Sequence, residues 1–353
     1  MLATQDLLRK MISHRPVTGD VACVNELTAC VRDYLADAGI VTRTEELDGR
    51  NILFASTTGC KTVDVLFNAH LDVVPAAETQ FEPCEKEGWI YGRGAHDCLG
   101  HCALLANTLI RVAEEADAGI VFSTDEETGG ATTRAMVERG YAARKLILIV
   151  DGHENALITA QKGVLTVTLR AAGTSCHAAM PWEGDNAIDR LIDGYLRIKP
   201  LFPAIEPPDE WHNTMAATVV GGGNAHNRVP DSAEMTVNIR FTEEASAAAL
   251  LARLREASGL EVTPTMQTPP VFCDPAAPEI QRLKTCMETT LKKDVTVERL
   301  NGATDARHFR ETGVPIAIIG TRGTDMHGKH EAVELAGLEA YENVLTAFLR
   351  GSS

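Results

Sequence analysis

Aromatic side chains make up only 5% of this chain, and its 33 basic residues are outnumbered by 49 acidic ones. No apolar run approaches the roughly 20 residues that a bilayer crossing needs, so a membrane span is not expected. A formal charge of −16 repels phosphate backbones and anionic lipid, which sets aside nucleic acid and membrane surfaces as partners. The opening MLATQDLLRKMISHRPV has no uninterrupted apolar stretch of the secretory kind, and the expected location is the cytoplasm. CxxC pairs at zinc-ribbon spacing are missing too. The nine cysteines, at 23, 30, 60, 84, 98, 102, 176, 273 and 286, are odd in number and read as reduced, mostly buried thiols. Repeats and low-complexity tracts are absent.

What is present suits a globular protein of about two domains: 353 residues, 44% of them hydrophobic. The first half alternates strands and helices, the pattern of an α/β domain with a largely parallel sheet. Residues 21–38 have helical periodicity, and Asp64 to Ala69, Gly119 to Ser123 and Lys145 to Val150 read as short buried strands. From Cys98 to about Ala116 the chain is expected to be helical, with Leu99, Cys102, Leu105, Ala106, Leu109 and Val112 on one face. Between 161 and 271 the order becomes strand (164–172), helix (186–198), two strands (214–222 and 233–241), helix (244–258) and strand (260–267). That β-α-β-β-α-β order is a split ferredoxin-like unit. After QTPPVFCDP the α/β style returns, and GVPIAIIG (313–320) reads as one more buried strand. The expected domains are therefore a discontinuous one, 1–160 with 272–353, and an insert, 161–271.

The chemistry-bearing residues share one placement. His70 follows the strand containing LFNA, Glu126 and Glu127 follow IVFS, Asp151 follows LILIV, and His327 comes a short loop after IAIIG. Sites in open parallel sheets form outside the carboxyl ends of the strands, and those ends would deliver His, Glu, Asp and His to one edge. Asp97, in GRGAHDCLGH, precedes a helix, and its two carboxylate oxygens allow it to bridge two ions. Asp72, in HLD, is placed to orient the His70 ring. Each residue also has a plainer reading. A lone His or Asp after a strand is usually a hydrogen-bonded loop residue, and DEETGG resembles ordinary turn chemistry. Five at corresponding strand ends are harder to set aside.

AHLDVVP, GRGxxD, DEE and the HxxxE pattern from His327 to Glu331 together resemble the cocatalytic zinc peptidases and aminoacylases of clan MH. That family includes acetylornithine deacetylase, succinyl-diaminopimelate desuccinylase, carboxypeptidase G and several di- and tripeptidases. The likeness runs from ISHRPVTGD to MHGKHEAVEL. It implies a zinc-exopeptidase-like catalytic domain with a mostly parallel sheet, and an inserted α+β ferredoxin-like lid that also serves dimerisation. It further implies two Zn²⁺, with Co²⁺ or Mn²⁺ as alternatives. One ion would take His70 and Asp151, the other Glu127 and His327, with Asp97 bridging and Glu126 as general base. His96 and His101 are expected at the cleft rim, outside the ligand set.

GTSCHAAMPWEGDNAI resembles the lid motif of that family, in which a histidine, here His177, stabilises the developing oxyanion. Asn227 in NRVP and Arg240 in VNIRF match substrate-binding positions, Arg240 suiting a carboxylate. Alone, His177 reads as a polar loop residue and Arg240 as a strand-end ion pair. NGATDARHF matches a pocket loop in which Asp305 and Arg307 either shape the pocket or form an internal pair. The chain departs from many relatives at Leu99, where they carry Lys. Its fourth ligand is Asp151, as in the di- and tripeptidases, rather than Glu. That tilts the expected substrate toward a short peptide, with an N-acyl amino acid as the alternative. A third reading is a non-catalytic binding protein, which loss of Glu126 or a ligand would have favoured; all are present. A homodimer through the lid is expected.

Overall fold

The strand Thr62–His70 runs parallel to Ala118–Ser123 on one side and to Ala142–Val150 on the other. Ile316–Ile319 joins beyond Ala142–Val150, again parallel. The computed structural model describes residues 3–351. Every residue of Ala118–Ser123 and of Ile316–Ile319 is buried. A parallel sheet covered on both faces has no solvent side, which is why AGIVFS and IAII show no polar alternation. Pairing of His70 with Ser123 and of Asn68 with Ile149 sets level the strand ends that lead to His70, Glu126 and Asp151.

An antiparallel hairpin, Val41–Leu47 with Arg50–Ser56, extends the sheet past Ala118–Ser123. Its two-residue turn, Asp48-Gly49, is left-handed at both positions (φ 50 and 80), as the twist of a tight hairpin requires. At the other side Ala156–Gln161 meets Ile316–Ile319 antiparallel, through Ile158 and Ile318. The helix Val21–Asp37 starts at Asp20, whose side chain accepts from the Cys23 amide at 3.1 Å.

The helix Leu99–Arg111 differs from its sequence-based reading. It has no single apolar face: Leu99 through Leu109 are all buried. It lies against Thr4–Ser13, Leu335–Leu349 and the central sheet at once, and a helix enclosed on all sides needs no polar stripe. Its polar members find partners inside, as when Asn107 accepts from the Tyr34 hydroxyl at 2.6 Å.

A second, small antiparallel sheet matters for the site. Cys84–Lys86 pairs with Trp89–Tyr91, which pairs with Ala332–Glu334, which pairs with Gly323–Thr324. It ties the loop containing Asp97, just after Tyr91, to the loop containing His327, just before Ala332.

Two compact units divide the chain. One comprises residues up to 159, 272–298 and those from 304; the other comprises 160–271 and 299–303. In the second, the strand order is Thr214–Gly222, Ser232–Phe241, Gly163–Ala172, Glu261–Thr268, all antiparallel. With helices Ala187–Ile198 and Ala247–Ser258 this is the β-α-β-β-α-β arrangement that the sequence order implies. Leu165, Val167, Leu169, Met235, Val237, Ile239 and Phe241 point to one face, where Leu191, Ile198, Leu250 and Leu254 cover them. Each such aliphatic side chain contributes about 1.5–3 kcal/mol by leaving water. The helices begin at caps the sequence supplies: Asn186 accepts from the Ile188 amide, and Ser246 from that of Ala249. Among the described residues, no helix is long and apolar enough to cross a membrane.

Candidate metal centre

Asp97 stands between two histidines. One carboxylate oxygen lies 2.9 Å from His70 Nε2, and the other lies 3.0 Å from His327 Nε2. Asp151 approaches the His70 side, 3.9 Å from Nε2, and Glu127 approaches the His327 side at 3.3 Å. The ligand atoms of His70, Asp97 and Glu127 all lie within 4.8 Å of one another. Two donor sets therefore share one carboxylate, the arrangement a pair of divalent ions requires.

His70 is held in one orientation. Its Nδ1–H donates to the Asp72 carbonyl at 2.8 Å, which leaves Nε2 as the donor atom for a metal. Asp72 Oδ1 also lies 3.5 Å from Nδ1, and the same carboxylate serves the neighbouring turn. Oδ1 accepts the Glu126 amide at 3.1 Å, Oδ2 the Glu127 amide at 3.4 Å, and Thr18 donates to Oδ2 at 2.8 Å.

The Asp97 loop folds around Gly94. That residue has φ +81, and a Cβ there would sit 2.7 Å from Val73 Cγ1 and 2.8 Å from Leu99 Cδ1. Only glycine fits both the backbone and the space. Leu99 is fully buried in the apolar core beside it. His96 and His101 are not at a cleft rim: they are only 5% and 1% exposed. Both close on Thr321, whose carbonyl lies 3.2 Å from His96 Nε2 and whose amide donates to His101 Nε2 at 3.1 Å. Cys98, expected only to start the helix, has its thiol on the inner wall. It donates to the Val150 carbonyl at 3.1 Å, and its sulfur groups with the ligand atoms of His70 and Asp151.

Glu126, its side chain 13% exposed, faces a second cluster. Arg307 Nη2 lies 3.4 Å from its Oε1 and 3.5 Å from Asp305 Oδ1. Asp305, 1% exposed, also accepts from the hydroxyls of Ser123 and Thr133. The pocket-loop pair is therefore an internal ion pair that also reaches Glu126.

Ionisable groups crowd this place. Burial and the Asp305 charge push the Glu126 carboxyl up to about 8. Burial raises Glu127 to about 7, and raises Asp151 well above the usual carboxylate range with help from Cys98 and Asp97. The hydrogen bond to Asp97 lifts His327 to about 9. Burial opposes ionisation of Asp97, but its bonds to His327 and His70 hold it well below the ordinary range. Glu127 Oε1 is buried without a hydrogen-bond partner. An orphaned carboxylate oxygen amid crowded anions is what a divalent ion satisfies, and N/O donors of this kind suit Zn²⁺, Co²⁺ or Mn²⁺.

The second unit holds the other candidates. His177 is exposed, and its Nδ1 accepts the Ala179 amide at 3.1 Å, which puts the ring proton on Nε2. Asn227 is its neighbour: its carbonyl takes the Ala178 amide at 2.9 Å, and both residues line an open depression with Ser175, Cys176 and Arg228. Arg240 stands on the polar face of the antiparallel sheet, its Nε donating to Asn238 Oδ1 at 3.1 Å.

The chain is similar to known proteins in sequence and in fold. The sequence pattern of Peptidase family M20/M25/M40 matches residues 66–351. A succinyl-diaminopimelate desuccinylase from Erythrobacter litoralis is 26% identical over 301 residues, covering 79% of this chain and 78% of its own. A tripeptidase from Staphylococcus aureus superposes with a TM-score of 0.83 at 16% identity, over 99% of this chain and 97% of that one. A Bacillus subtilis protein described as a dinuclear metal binding peptidase superposes with a TM-score of 0.70 at 16% identity, over 98% and 97%.

Proposed function

From the premise that the chain belongs to Peptidase family M20/M25/M40 and is a metallohydrolase, we propose that it hydrolyses an amide bond of a short peptide. The observation that carries this is the Asp97 carboxylate, divided between His70 and His327. His70 and Asp151 would hold one ion, Glu127 and His327 the other, and Asp97 both. When bound, the pair supplies Lewis acidity toward the scissile carbonyl and lowers the pKa of the attacking water. Zn²⁺ is the proposed metal, with Co²⁺ or Mn²⁺ able to replace it.

Glu126 takes a proton from the attacking water as its oxygen bonds to the carbonyl carbon. The same carboxyl returns that proton to the departing amine as the carbon–nitrogen bond breaks. Burial beside Asp305 raises the proton affinity of Glu126, and Arg307 lies 3.4 Å from its Oε1. His177, with its proton on Nε2, is the proposed donor to the developing oxyanion. Asn227 and Arg240 are the proposed substrate contacts, Arg240 taking a carboxylate in bidentate fashion.

Asp151 in the fourth-ligand place favours the peptidase. The desuccinylase name of the Erythrobacter litoralis relative favours a second reading, removal of an acyl group from an amino acid. Both use the same centre and part at the substrate. A panel of dipeptides and tripeptides beside N-acetyl and N-succinyl amino acids, offered to metal-loaded enzyme, separates them. Release of amino acids from peptides alone is the expected result; turnover of acylated amino acids alone transfers the assignment to the deacylase. A non-catalytic role is not favoured, because Glu126 and every ligand candidate are in place. The enzyme is proposed to work in the cytoplasm, in keeping with its free cysteines, and as a homodimer through the second unit.

A further inference from the structure

Arg93 and Glu331 are almost completely buried, at 2% and 1% exposure, and form an ion pair across 238 residues of sequence. Neither touches the ligand atoms; each holds the backbone of a ligand. Glu331 Oε1 accepts the amides of His96 at 3.1 Å and of Asp97 at 3.0 Å, while Oε2 takes Arg93 Nη1. The other arm of the guanidinium, Nη2, donates to the carbonyls of His327 at 2.9 Å and Gly328 at 3.0 Å. One pair thus grips the Asp97 backbone from one side and the His327 loop from the other.

His327 needs the grip. Its φ is 62, a left-handed backbone that a residue with a Cβ keeps only where its surroundings insist. Its side chain is 48% exposed, so packing does little to fix it. His70, by contrast, is buried at a strand end and tied by Nδ1 to Asp72. The two donor sets are therefore unequally anchored.

We infer that Arg93 and Glu331 are positioning residues that set the affinity of the ion site formed by Asp97, Glu127 and His327, in preference to the site at His70 and Asp151. The inference rests on the two-ion reading above. Groups that orient ligands from behind typically change metal affinity about 10–100-fold when altered. Glu331→Gln keeps an oxygen for the two amides but loses the charge that seats Arg93. The double variant Arg93→Met with Glu331→Leu removes the grip and leaves no buried charge unpaired, so it is expected to fold even where a single truncation would not.

The test is titration of the metal-free proteins with Co²⁺, followed by calorimetry and visible absorption, with far-UV dichroism confirming the fold. Wild type is expected to take two ions. Glu331→Gln is expected to keep its first affinity and to bind the second ion about tenfold more weakly, and the double variant about 100-fold more weakly. Excess Co²⁺ should then restore kcat to Glu331→Gln. Two ions bound with unchanged affinities in both variants would overturn the inference, as would equal weakening of both ions. Wild type that binds fewer than two ions would instead overturn the two-ion reading beneath it.

Discussion

Arg307 stands 3.4 Å from Glu126, its Nη2 facing the carboxylate oxygen Oε1. Arg307 is buried and Glu126 only 13% exposed, so solvent screens the contact weakly and it favours one direction of the Glu126 carboxylate. Replacing Arg307 by Ala should lower kcat/KM by about 10- to 100-fold, the scale of one charge-assisted hydrogen bond. Arg307→Lys should recover part of the loss. Steady-state kinetics on a hydrolysed peptide checks both.

Asp305, 1% exposed, lies 3.5 Å from the same guanidinium. Ser123 and Thr133 donate to the same carboxylate. Asp305→Ala strands both hydroxyls and leaves the guanidinium with one fewer anion, a loss of about 3–5 kcal/mol. Asp305→Asn keeps an accepting oxygen and should cost less. Urea denaturation of the two variants measures the difference.

Removing the metal should destabilise as well as inactivate. Carboxyls at 126, 127 and 151 are raised by burial and mutual repulsion, and ions relieve that strain only in the folded state. Restoring Zn²⁺ to the chelated protein at about 100 times its Kd should return roughly 2.7 kcal/mol per site. Thermal melts with and without metal read this directly. A melting temperature indifferent to metal would contradict it.

The outer strand of the second unit, Thr214–Gly222, leaves Val219 and Val220 64% and 68% exposed, and the helix Ala187–Ile198 leaves Leu196 54% exposed. An apolar sheet edge in water invites pairing. Sedimentation should show a dimer, and Val219→Lys with Val220→Glu should give a monomer.

Much of the fold follows from the sequence alone. Parallel strands put their ends at one edge, so His70, Glu126, Glu127 and Asp151 announce themselves as residues following apolar runs. The alternation of Met235, Val237, Ile239 and Phe241 likewise marks a strand with one covered face. Legibility failed where partners are remote. His96 and His101 look like surface residues, because Thr321, which satisfies His101, lies 220 positions away. The enclosed helix Leu99–Arg111 reads as one-faced because polar residues such as Asn107 are paired inside. Arg93 and Glu331 sit within visible motifs, but nothing local shows that they meet.

The central claim is that Glu126 moves the proton at a centre held by other residues. The decisive measurement is the turnover of Glu126→Ala beside its metal content. Two bound ions with kcat reduced by about 10²–10⁴-fold or more is the expected result. Full activity with both ions bound, or loss of the ions themselves, would contradict it.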